Sequence, residues 1–122
     1  MDEILSAAAE GSGINTLSEN VRVRYALRLI DSGYYWEAHE VLEPVWLHAA
    51  ENSRERHLAQ AIIHCTNAML KTCMGRDQAA NRLWEMAERT CHRAMPDNVE
   101  VIAFGLSEQD IVSLFSKYQR LK

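Results

Sequence analysis

The chain has little of what breaks or staples a fold: three cysteines, two prolines and five glycines in 122 residues. An odd number of cysteines argues against a disulfide framework, and Cys65, Cys73 and Cys91 sit in apolar stretches of helical spacing, so they read as reduced core thiols. No basic run exists. Thirteen Lys and Arg stand against seventeen Asp and Glu, a net charge of −4, which gives no electrostatic support for a nucleic-acid or anionic-membrane surface. No apolar run approaches the roughly 20 residues needed to cross a bilayer. The opening MDEILSAAAE is acidic and lacks the charged-then-apolar layout of a secretory leader, so a cytoplasmic location is expected. Internal repeats and low-complexity segments are absent as well.

What the chain does have is a 48% hydrophobic content, enough for one compact domain with a buried core and no staples. Residues 1–15 read as a tail or short helix, interrupted at Gly11 and Gly13, and 16–122 as a single helical domain. Helical periodicity predicts a first helix over 18–32, capped by Ser18 and ended by Gly33, and a second over about 34–50. A third follows over 54–74, with Ser53 as its cap, and a fourth over 77–94. Residues 96–98 break the chain, 99–104 form a short extended or irregular apolar piece, and Gly105 releases it. Ser107 and Asp110 resemble a capping box that opens a fifth helix, with Leu106 positioned to staple onto Ile111 and Leu114, Phe115 and Tyr118 on its apolar face. The short connections favour an all-α antiparallel bundle of four to five helices, the second and third central.

The second helix carries the candidate site. At about 100° per residue, Tyr34, Tyr35, Ala38, Val41, Leu42, Val45 and Ala49 form an apolar arc, with Trp46, His39 and Glu43 together at its edge. Glu37, Glu40, Pro44 and His48 fall on the solvated side, which leaves Glu43 as the one acid expected at the core boundary. Pro44 lacks the N–H that would bond the Glu40 carbonyl, so the helix either kinks or stops and restarts there. On the third helix a polar stripe of His57, Gln60, His64, Asn67 and Lys71 interrupts an otherwise apolar circumference. Lys71 and Asn67 read as solvated, whereas Gln60 and His64 are candidates to face His39 and Glu43.

With Gly-Tyr-Tyr-Trp-Glu-Ala ahead of His39, and Glu43 and Trp46 behind it, this stretch resembles the bacterial and archaeal family known as domain of unknown function 309, whose signature is His, three residues, Glu, two residues, then Trp or Tyr. The resemblance extends over about 25–90. It implies an all-helical fold and a metal-binding role for His39 and Glu43, and no known activity. At the third helix the family tends to Gln-Gly-Leu-Ile-Gln, where this chain has Gln60, Ala61, Ile62, Ile63 and His64.

Two readings of the motif stand side by side. In the first, Glu43 accepts hydrogen bonds from the His39 ring and from Trp46 or Gln60, a satisfied polar cluster in a binding or assembly module that self-associates through exposed aromatics such as Trp36 or Trp84. In the second, His39 and Glu43, with His64 or Gln60 as a further donor, hold a divalent ion for a metal-assisted hydrolysis. With one carboxylate such a site suits zinc or nickel better than magnesium or calcium. The run from His39 to Glu43 is not a zinc-peptidase motif, because Glu40 projects roughly 100° from His39 and no third ligand follows. The cysteines lack a nucleophile's flanking signature. No reaction, substrate or small-molecule ligand is named by the sequence.

Overall fold

The computed structural model describes residues 16–94 and 101–121. The expectations for residues 1–15, for the break at 96–98 and for the Tyr118 side chain lie outside the described residues. Within them are five helices, α1 (Thr16–Asp31), α2 (Tyr35–His48), α3 (Arg54–Cys73), α4 (Asp77–Ala94) and α5 (Glu108–Leu121), and two short strands, β1 (Val101–Ala103) and β2 (Leu106–Ser107). The fold is an all-α bundle. Sequential helices pack on one another, α1 on α2, α2 on α3 and α3 on α4, while β1 and α5 lean on α3. α2 and α3 are therefore central, each with a helix on both sides.

The connections explain why neighbours run antiparallel. α1 ends where Gly33 takes φ +86°, a left-handed conformation that costs a residue with a Cβ, and its N–H bonds the Ile30 carbonyl while the Tyr34 N–H bonds that of Leu29. The chain turns back within three residues. At the other end of the pair, burial raises the Glu19 carboxyl above its usual range, and the charges that modulate it are His48, at the end of α2, and Glu55, at the start of α3. α3 opens on Ser53, whose Oγ accepts from the Arg56 N–H at 3.1 Å and donates to the Ala50 carbonyl at 2.7 Å. α2 does not stop at Pro44. It continues to His48, whose Nδ1 lies 2.7 Å from the Pro44 carbonyl oxygen. The first helix starts at Thr16 rather than Ser18, and the second ends two residues before Ala50.

The core is filled by Val23, Leu42, Val45, Leu58, Ile62 and Trp84, each under 2% exposed, with Ala59, Ala61, Ala68 and Ala87 where backbones approach. Trp84 belongs to this core, edge-on to Phe115 of α5 at 6.5 Å, which corrects its assignment as an exposed aromatic for self-association. Cys65 and Cys91 are buried, but Cys73 is exposed at the end of α3, so only two of the three thiols are core groups. Burial pushes the Cys65 thiol well up, with Cys91 and Glu88 adding to it, and raises Cys91 to about 11. Iodoacetamide at neutral pH should therefore label Cys73 alone in the folded protein and all three in urea; mass spectrometry of labelling at Cys65 or Cys91 before unfolding would contradict this.

A two-stranded antiparallel hairpin was not expected. Ala103 pairs with Leu106, so the turn is Phe104–Gly105, and both take positive φ, 56° and 73°. Two left-handed residues in succession match the twist of paired strands, and Phe104, 5% exposed, accepts this conformation in return for core burial. A Cβ at Gly105 would sit 3.3 Å from Arg24 Nη2. The hairpin delivers the chain to the capping box: Asp110 Oδ2 accepts from the Ser107 N–H at 2.9 Å and the Ser107 Oγ accepts from the Asp110 N–H at 3.3 Å. Leu106 and Ile111, the two ends of the staple, are both buried. Ser107→Ala should cost about 1 kcal/mol in urea unfolding, and a change indistinguishable from zero would mean the cap contributes nothing.

Candidate functional site

The motif residues come together on one face of α2, but more openly than the periodicity implies. His39 is 22% exposed at its side chain and Glu43 is 54% exposed, with His39 Nδ1 and Glu43 Oε2 3.9 Å apart. At that distance the two side chains face each other without a hydrogen bond. The Trp36 ring stacks on the imidazole, centroids 5.6 Å apart and planes at 12°. Trp36 and Leu47 are each 57% exposed. On the helical wheel Trp46, His39, Glu43, Trp36 and Leu47 span about 100°, so the motif runs directly into an uncovered apolar stripe. Glu43 is thus not an acid at the core boundary: it is more than half exposed, as are Trp36 and Leu47 on the turns to either side of it.

Trp46 is the inner member of the set. Its ring is half-buried under the Arg56 guanidinium, whose Cζ lies 4.6 Å from the ring centroid, and Arg56 Nη1 also donates to the Ala49 carbonyl at 3.3 Å. The contact ties the end of α2 to the start of α3. Its indole N–H is buried without a hydrogen-bond partner among the described residues, and so is the His39 Nδ1. The hydrogen-bonded cluster read from the sequence, with Glu43 accepting from His39 and Trp46, is not formed.

The third-helix residues are placed by the antiparallel register. Trp46 meets Arg56 at one end of the α2–α3 pair, and at the other the Tyr35 hydroxyl, whose pKa is raised by burial, also feels Cys73. No hydrogen bond or ion pair among the described residues joins Gln60 or His64 to His39 or Glu43. His57 and His64 each bury an Nδ1 without a partner, and burial holds His64 below the usual imidazole range, which keeps the ring neutral near pH 7. The described residues contain no group of three His, Cys, Asp or Glu side chains able to hold a metal ion. Among the described residues His39 and Glu43 offer two donors, and His64 does not join them in a group of three.

The family model for Domain of unknown function (DUF309) matches residues 23–83, from the middle of α1 into α4 and across the whole of the His39, Glu43 and Trp46 face. The chain belongs to the DUF309 family. No curated protein and no solved structure matches it. The DUF309 match takes in the α1–α2–α3 layer and ends before the hairpin and α5, so the family-defining part of the chain is the part that presents this face.

One contact here left no mark in the sequence. Arg56 over Trp46 joins residues on different helices, which only the packing angle brings together. Leu47 carried a legible signal, eleven residues from Trp36 and four from Glu43, which is the same helical face.

Proposed function

We propose that the chain is a binding module whose docking surface is the outer face of α2, and that its partner presents a basic, amphipathic surface. The observation that carries this is Trp36, a large aromatic left 57% exposed while stacked on the motif histidine. Leu47 extends the apolar stripe, and Glu37, Glu40 and Glu43 lie in and beside it, all exposed. An indole and a leucine framed by carboxylates suit a helix that brings apolar anchors and lysine or arginine on the same side. A second copy of the chain suits the surface less well. Antiparallel pairing of two α2 faces would set Glu40 and Glu43 of one protomer against those of its partner, and the chain already carries −4.

Rigid support favours recognition over turnover. α2 is held from beneath by Leu42 and Val45 in the core and at its end by Arg56 on Trp46, which presents Trp36 and Leu47 on a fixed helix. Isothermal titration with a synthetic amphipathic Lys/Leu helix, and with a Glu/Leu helix of equal length, tests the reading. The basic peptide should bind saturably and the acidic one should not. Equal heats from both, or none from either, would overturn it, and concentration-dependent dimerisation in sedimentation that is lost in Trp36→Ala would replace the basic partner by a second copy.

A further inference from the structure

We infer that a small zwitterion of the amino-acid type binds in the cleft between α1 and α2, with its carboxylate on Arg22 and its ammonium group on Glu37 and Glu40. The cleft shares Glu37 and Glu40 with the edge of the docking face, but the inference rests on Arg22, which lies on α1 outside that face. Arg22 is 8% exposed, and its Nε is buried with no hydrogen-bond partner among the described residues. It lines an open cleft of about 330 Å³ together with Tyr25, Leu29, Glu37, Glu40 and Val41.

A buried guanidinium N–H without an acceptor is costly, since the Nε donor has left water uncompensated. The two glutamates in the same cleft do not discharge it: neither forms an ion pair or hydrogen bond with Arg22 among the described residues. The cleft therefore holds a buried donor of positive charge at one place and two exposed carboxylates at another, unjoined. A simple anion would satisfy Arg22 but meet the repulsion of Glu37 and Glu40. A simple cation would satisfy the glutamates and leave Arg22 Nε orphaned. A molecule carrying a carboxylate and an ammonium group a few bonds apart satisfies both, the carboxylate through the bidentate geometry that a guanidinium favours. Leu29, Val41 and the Tyr25 ring supply an apolar wall for a side chain of modest size.

The test is isothermal titration of the full chain with L-leucine, N-acetyl-leucine, which lacks the ammonium group, and leucinamide, which lacks the carboxylate. Leucine should bind saturably and each blocked form more weakly by about tenfold or more, as expected for loss of a charge-assisted contact. Arg22→Met should keep the helical circular dichroism of the parent, because it removes an unsatisfied buried charge, and should lose leucine binding. Glu40→Gln, at an exposed position, reads out the ammonium contact if Arg22→Met does not fold. No saturable heat from leucine, equal binding of all three compounds, or parent-like binding by the folded Arg22→Met protein would overturn the inference.

Discussion

Trp84→Ala should lose about 3–5 kcal/mol of folding stability, the largest effect of any single substitution proposed for this chain. Trp84 is 1% exposed and is the largest of the fully buried side chains. Its ring meets Phe115 edge-on at 6.5 Å and 61°, so it couples α4 to α5 as well as filling the centre of its own helix. Truncation removes the transfer energy of an indole and leaves a void that a helix fixed by Ala80, Ala87 and Cys91 in the same buried stripe can close only in part. Domains of this size have about 5–15 kcal/mol in total, so a large share of the protein would unfold at moderate temperature. Urea unfolding followed by circular dichroism measures it. A midpoint shift worth less than about 1 kcal/mol at unchanged slope would mean that α5 does not pack on Trp84 as described.

The second large effect is on binding and leaves stability nearly untouched. Trp36→Ala and Leu47→Ala should each weaken a basic amphipathic peptide by about 2 kcal/mol or more, roughly thirtyfold, as central anchors do. Neither side chain contributes to the core. Leu47→Ala should therefore change stability by no more than about 0.5 kcal/mol, and Trp36→Ala, which also gives up its stack on His39, by about 1 kcal/mol. Glu43→Gln should act differently, lowering the association rate and the salt dependence more than it raises the dissociation rate, since Glu43 is an exposed charge in the stripe. Parent-like affinity in both apolar variants would remove the face from the account even if the peptide still bound, because charge alone would then explain the binding.

Much of this architecture is written in local patterns. Asp77–Ala94 has the bounds that a glycine at 75 and a 3.6-residue stripe predict, and the reciprocal bonds of Ser107 and Asp110 follow from the spacing of two polar residues ahead of an apolar run. The hairpin was hidden because its turn needs Phe104 in a left-handed conformation, which no aromatic residue signals; only burial of its ring makes that conformation acceptable. The site divides in the same way. That His39, Glu43 and Trp46 share a face follows from helix geometry alone. How open each of them is depends on which neighbouring helix covers which edge, and so the exposure of Glu43, the Arg56 lid on Trp46 and the unpartnered Arg22 Nε are properties of packing. Trp84 shows the converse: read as an exposed aromatic for self-association, it lies in the buried stripe of α4.

The central claim, that recognition occurs on the outer face of α2 around Trp36, is most directly tested by the three indole N–H signals in a ¹H–¹⁵N correlation spectrum, assigned with Trp36→Phe and Trp46→Phe and followed as the Lys/Leu peptide is added. The Trp36 signal should shift progressively and saturably, the Trp46 signal less, and that of the buried Trp84 not at all. Saturable binding with the Trp36 signal unmoved would contradict it.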